Sequence, residues 1–402
     1  MEVDDRCSFS ILPKDASEAL LQQAWQHLDQ QHRFGIIPRV CSTWFHLSLP
    51  TFTSLELTLR DQGSMQQFAA WLRHHGSNLQ HLSVRKKMQL SEPSCPLLLE
   101  VLGSINSCDS LTSLHLVCWN GPITLSEQLL TRLSSLSVRD YKGGTFNIGQ
   151  LSRMRQLKAL DLSGSRVGIE LDEFEVHQLL SALPNLTSLD LTHSWLPLKH
   201  LASCPNLPPL QELKLSITPS LFTDRFFDLA YLPVLPCTSL HVDVCGPAPM
   251  EDFKTWSAGQ QAKSCLGKLT SMHWYKRGSL SSSSAQPMSH DIVSCMADAA
   301  GQLRRLTLTG FNIASLKDLA LLTGLTQLTS LTLGYAGPPD ADVVTPLAAL
   351  SILQQLTVAG LSECQADAVR AAVAAGHLPW LKEVEVVASL MIDESGGLIV
   401  DV

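Results

Sequence analysis

One short phrase, apolar-x-x-apolar-x-apolar, returns thirteen times between residues 52 and 386, and this recurrence constrains the fold more than any other feature. Its clearest copies are Leu157-Leu160-Leu162, Leu186-Leu189-Leu191, Leu210-Leu213-Leu215, Leu303-Leu306-Leu308 and Leu328-Leu331-Leu333. Weaker copies begin at Phe52, Leu79, Leu111, Leu133, Cys237, Leu269, Leu353 and Leu381, and the intervals run from 22 to 34 residues with a mean near 27. A single copy fits a turn of amphipathic helix as well as a buried strand, so the information lies in the repetition. The last two apolar positions alternate with polar neighbours, which predicts a short strand with one buried face and one open face. Stretches between phrases have helical spacing, as at Met65, Phe68, Ala69 and Leu72, at Leu179, Leu180 and Leu183, and at Leu316, Leu319 and Leu322.

On these phrases the chain resembles the leucine-rich repeat family, over about five sixths of its length. The resemblance implies an α/β solenoid, a horseshoe of parallel strands lining a concave face with helices outside. Such a body grows by stacking neighbours, so 402 residues need not split into separate cores. Family repeats often place Asn or Cys three residues after the last leucine. Here Ser165, Ser194, Thr218 and Cys245 hold that position in some repeats, and Lys87, Trp119, Tyr141, Phe311 and Leu361 hold it in others. Small hydroxyls can satisfy turn backbone, and the missing asparagine ladder predicts uneven curvature.

Net charge is −8, from 29 basic and 37 acidic residues, which gives no electrostatic reason to expect nucleic acid as the main partner. The acidic start, Met1 to Asp5, is not followed by an apolar run of signal-peptide length, and no run reaches membrane-spanning length. Eleven cysteines at irregular spacings, without a Cys-x-x-Cys pair, suggest reduced thiols in the cytosol or nucleus.

Residues 1 to 50 lie outside the repeat. Leu21, Trp25 and Leu28 mark one helical face, Val40, Trp44 and Leu47 another, and Pro38 suits the first turn of the later helix. The opening Leu12-Pro13, the Leu28-Asp29 pair and the closing Val40-Cys41-Ser42-Thr43-Trp44 resemble the F-box, a small all-α module. That resemblance implies docking onto a Skp-type adaptor, and through it a cullin, by Leu12, Pro13, Leu20, Leu28, Ile36, Val40 and Trp44. The gaps from Leu12 to Leu28 and from Leu28 to Val40 are longer than the usual pattern. A helical hairpin that only caps the first repeat remains the alternative.

The open positions of the phrase are its third, fifth and seventh. From them the candidate partner-binding face is His81, Arg85, His115, Arg139, Asp161, Asp190, Lys214, His241, His273, Tyr275 and Arg305. His241 and His273 share one phrase position a repeat apart, but no carboxylate or thiol stands at metal-ligand spacing, and no metal or other cofactor is expected. Ser, His and Asp all occur on this face, yet the sequence alone selects no set of three, and nucleophile-elbow, Walker and dinucleotide fingerprints are missing. The chain is therefore expected not to be an enzyme.

The expected organisation is a helical module at 1–50, repeats over 51–392 and a tail at 393–402. A serine-rich segment around Ser281 to Ser284 reads as an excursion between repeats. The F-box resemblance implies a substrate receptor of a cullin-RING ubiquitin ligase, binding an unknown target protein on the repeats, without nucleic acid or membrane. The alternatives are a non-enzymatic scaffold in the cytoskeleton or ciliary axoneme and, by fold analogy, a small-GTPase regulator.

Overall fold

The structure is a computed structural model. It describes residues 53–59, 62–86, 96–119, 123–141, 148–165, 173–194, 200–201, 203–217, 237–245, 266–277, 286–287, 290–313, 315–335, 342–387, 389–392 and 398–401. The F-box-like positions and the serine-rich segment lie outside the described residues. The chain divides into two compact units, Met1–Leu157 and Lys158–Val402.

In the first unit four strands pair in parallel in chain order: β1 (Ser54–Leu59), β2 (His81–Lys86), β3 (Ser113–Val117) and β4 (Ser135–Arg139). The second unit continues the pattern with β5 (Ala159–Asp161), β6 (Ser188–Leu191), β7 (Glu212–Ile217), β8 (Ser239–Cys245) and β9 (Ser271–Arg277). A two-residue strand, β10 (Gln286–Pro287), lies against the far end of β11 (Arg305–Ile313). Then follow β12 (Ser330–Tyr335), β13 (Gln355–Ala359) and β14 (Glu383–Val387). Apart from β10, these strands of the second unit also pair in parallel in chain order. Each of the thirteen strands other than β10 begins at the third residue of its phrase.

The burial pattern explains this coincidence. The first, fourth and sixth residues of a phrase all turn inward: Leu186, Leu189 and Leu191 are buried, as are Leu303, Leu306 and Leu308. Burying each leucine contributes about 1.5–3 kcal/mol, and a one-residue slip would turn that whole set outward. Only the end copies relax, with Leu57, Leu381, Val384 and Val386 half-buried.

Helices close the other side of the core. They are α1 (Gln62–His75), α2 (Pro96–Ile105) and α3 (Glu127–Arg132) in the first unit, with a further single helical turn at Ile148–Leu151. In the second they are α4 (Glu173–Ser181), α5 (His290–Ala299), α6 (Leu316–Leu321), α7 (Val344–Ala348) and α8 (Glu363–Ala374). The helix predicted from Met65, Phe68, Ala69 and Leu72 is α1, and all four are buried. Three starts are fixed by serine caps. Ser126 Oγ accepts from Leu129 N–H, Ser315 Oγ from Asp318 N–H, and Ser362 forms a reciprocal capping box with Gln365.

A further regularity sits just before the strands. The residue preceding the strand is often Thr, and its hydroxyl donates to a carbonyl of the preceding repeat: Thr112 to Gln80, Thr187 to Lys158, Thr238 to Gln211, Thr270 to Thr238 and Thr329 to Arg304, at 3.0–3.3 Å. The same carbonyl also accepts two successive backbone N–H groups, as Gln211 O does from Thr238 and Ser239 at 3.0 and 2.8 Å. One oxygen thus takes three donors at each of these junctions.

Five of the turns after the strands are closed by left-handed backbone at the eighth position of the phrase. Cys118, Asp140 and His193 have φ of 57°, 52° and 57°, and Gly164 and Gly360 have 67° and 75°. The ninth position, where the family favours asparagine, is buried instead: Trp119 and Tyr141 fill space, and Ser194 Oγ donates to Leu191 O at 2.8 Å. After β14, β15 (Ser389–Ile392) and β16 (Leu398–Asp401) form an antiparallel pair, so part of the expected tail has regular structure. Among the described residues no helix is long and apolar enough to cross a membrane.

Candidate functional site

Register converts the open phrase positions into rows of side chains across neighbouring strands. In the first unit one row runs Glu56, Ser83, His115, Ser137 and another Thr58, Arg85, Val117, Arg139. His81 and Arg85 are exposed, His115 and Arg139 half-buried, and Ser83 Oγ lies 3.5 Å from His115 Nδ1.

In the second unit the fifth-position row reads Asp161, Asp190, Lys214, His241, His273, Thr307, Thr332, Thr357, Glu385. The third-position row beside it reads Ser188, Glu212, Ser239, Ser271, Arg305, Ser330, Gln355, Glu383. The predicted residues Asp161, Asp190, Lys214, His241, His273, Tyr275 and Arg305 therefore share one sheet face, while His81, Arg85, His115 and Arg139 belong to the other unit.

The polar contacts concentrate on β6 to β9. Lys214 Nζ stands 3.8 Å from Asp190 and 3.6 Å from Glu212, and Glu212 also accepts from Ser188 Oγ at 2.7 Å. Asp190 is 8% exposed, and Thr192 donates to it through both N–H and Oγ1. Burial and then the neighbouring Asp161 raise its pKa, and the Thr192 bonds and Lys214 oppose the rise.

His241 and His273 stack face to face, with centroids 4.1 Å apart and planes 7° from parallel. His241 Nε2 lies 3.4 Å from both Glu212 Oε1 and Ser239 Oγ, and His273 Nε2 lies 2.8 Å from Ser271 Oγ. Burial pushes His241 down to about 3, helped by His273 and Lys214. It pushes His273 down to about 4, helped by Arg305. Tyr275 OH reaches His273 Nδ1 at 3.4 Å, and burial with Asp243 raises its pKa. Both imidazoles are therefore neutral at ordinary pH, each able to donate and accept one hydrogen bond. Their in-plane lone pairs run side by side instead of converging on one point. Among the described residues no group of three or more His, Cys, Asp or Glu is arranged to hold a metal ion.

The structure also brings together a set that the phrase did not reveal. His193 Nε2 is 3.0 Å from Asp243 Oδ2, and its Nδ1 is 3.4 Å from Ser216 Oγ. The sequence concealed it because His193 occupies the turn position and not an open strand position. Chemically it acts as a clasp. Ser216 Oγ also accepts the His193 backbone N–H at 2.9 Å, so it ties both the ring and the backbone of the turn residue to β7. The three residues hold a non-glycine left-handed turn that costs about 1–2 kcal/mol.

Thirteen phrase-bound strands in parallel ladders, backed by helices, define the leucine-rich repeat fold. No family model matches the chain, and no curated protein matches it. Among solved structures it is similar to an internalin, InlF, from Listeria monocytogenes, at 15% identity over 94% of this chain and 92% of that one, with a TM-score of 0.39. It is also similar to TLR13, solved in complex with ssRNA13, at 18% identity with a TM-score of 0.42; 77% of this chain is covered but only 44% of that chain. A second Listeria monocytogenes internalin, InlC2, gives 14% identity over 65% of this chain and 84% of that one, with a TM-score of 0.32. The repeat assignment rests on this chain's own strands.

Proposed function

We propose that the chain is a non-enzymatic binding protein, the substrate-recognition subunit of an SCF-type ubiquitin ligase, with residues 1–50 docking a Skp-type adaptor and the open strand face holding the target. The observation that carries the reading is the order of motifs. Leu12-Pro13, Leu28-Asp29 and Val40-Cys41-Ser42-Thr43-Trp44 stand directly before repeats whose first strand starts at Ser54. The open face of the second unit supports the binding half of the proposal. Its half-buried Lys214, His241, His273 and Tyr275 are held by neighbours and present hydrogen-bonding groups in fixed geometry.

The test is a pull-down of purified Skp adaptor by the intact chain beside a Val40→Asp, Trp44→Ala variant shown by circular dichroism to be folded. Binding by the native chain that the variant loses is the expected result. If the native chain does not bind, residues 1–50 are a cap, and the repeats serve a scaffold such as a cytoskeletal or axonemal assembly.

A further inference from the structure

The open face of the second unit treats its two lysine or arginine positions differently. Across the third and fifth phrase positions from β5 to β14 only Lys214 and Arg305 carry such a cation. Lys214 lies within 4 Å of two carboxylates, Asp190 and Glu212. Arg305 is exposed and makes no ion pair among the described residues. Its register neighbours are hydroxyls, Ser271 on β9 and Ser330 on β12. The carboxylates of its own row, Glu212 and Glu383, are each three strands away. At about 4.8 Å per strand that is roughly 14 Å, well beyond the Debye length of about 8 Å at physiological salt. Gln355 Nε2 engages Glu383 at 2.8 Å, and Ser188 engages Glu212.

The preceding residue adds a second cation. Arg304 occupies the position that carries the bonding threonine in neighbouring repeats, and it is exposed. Its backbone keeps the repeat junction, since its N–H donates to Thr270 O at 2.8 Å and its carbonyl accepts from Thr329 N–H and Ser330 N–H. The side chain is thereby released from the structural task that threonine performs elsewhere. Two adjacent arginines at the start of β11 are thus exposed, Arg305 in register with Ser271 and Ser330 and Arg304 at the rim of the same strand.

A partner that covered this site with an uncharged surface would strip water from the guanidiniums without replacing it, a penalty that outweighs ordinary contact gains. A carboxylate meets the planar fork of an arginine through two parallel hydrogen bonds. We propose that Arg304 and Arg305, with Ser271 and Ser330, receive a carboxylate-rich segment of the protein partner bound on this face. The inference rests on the reading of the strand face as the target surface and is independent of adaptor docking. The chain's net charge of −8 repels polyanions generally, so attraction here has to be local.

The test uses the full-length chain and a fluorescein-labelled glutamate-rich peptide, with its glutamine counterpart as control, read by fluorescence anisotropy at low and physiological salt. The expected result is salt-dependent binding of the glutamate peptide only, weakened at least about tenfold by Arg304→Glu with Arg305→Glu. The matched variant Arg153→Glu with Arg370→Glu, which makes the same charge change on residues already paired with Glu127 and Asp367, should bind as the native chain does. No binding by the native chain, equal binding of the glutamine peptide, or equal loss in both variants overturns the proposal. The Arg304→Glu, Arg305→Glu chain should still capture the Skp adaptor, so failure of the ligase reading and failure of this one give different results.

Discussion

At the scale of single residues, two sites make the packing quantitative. A Cβ on Gly76 would lie 2.6 Å from Cys108 Sγ, and Cys108 is itself buried, with burial and then Asp109 raising its thiol to about 11. Gly76→Ala should lower stability by about 1–3 kcal/mol, and Cys108→Ala in that background should recover part of the loss, as read from urea unfolding. An unchanged midpoint for Gly76→Ala would mean that the contact is looser than described. The stacked histidines give a pH signature. Both have folded pKa values, about 3 and 4, below the ordinary 6.5, so the neutral forms belong to the folded chain. Above pH 6.5 their contribution is fully present. As pH falls below 6.5 the unfolded chain takes up protons that the folded chain refuses, and stability drops by up to about 1.4 kcal/mol per pH unit for each ring. The loss stops growing once the folded rings protonate, near pH 3 to 4. Carboxylates add their own slope, so the measurement is a comparison: His241→Gln with His273→Gln should fall less steeply than the native chain between pH 6.5 and 4. Parallel slopes would refute the pair's neutrality.

Elements here are defined less by propensity than by what ties each strand to the next. Replacing the hydroxyl of Thr238 or Thr270 by a methyl, as Val, keeps the shape and removes one of three donors to a junction carbonyl. Each change should cost about 0.5–1.5 kcal/mol by thermal or urea unfolding; a cost near zero would mean that the two backbone donors suffice. The sequence displays this ladder as Thr-Ser or Ser-Ser between the first and fourth phrase positions, in Leu111-Thr112-Ser113-Leu114 and five later copies. Attention to the leucines alone passes over it, because a threonine beside a strand is unremarkable until its partner one repeat earlier is known. The turns were hidden for a similar reason. The family's asparagine position is occupied by Trp119, Tyr141, Ser165 and Ser194, which are buried, while the left-handed turn falls one residue earlier, on Cys118, Asp140, Gly164 and His193. No residue-type preference marks a left-handed cysteine or histidine in advance.

For the whole molecule, strand identity, direction and inner-face composition were legible because a period-two pattern repeated thirteen times leaves one register that buries the phrase leucines of every copy between the two ends. The contacts within the face were not. That Lys214 would pair while Arg305 would not, or that His193 would reach Asp243 across two strands, depends on side-chain geometry between repeats that no spacing rule encodes. The thrice-bonded carbonyls carry a last implication, within each unit. They clamp successive strands at one fixed offset whatever intervenes, although the phrase recurs across these junctions after as few as 22 or as many as 32 residues. Repeat length and strand pitch are thus decoupled: insertions can accumulate in the connecting segments without moving the inner rows out of step. Evolution can lengthen or shorten a connection while the lettering on the binding face stays aligned.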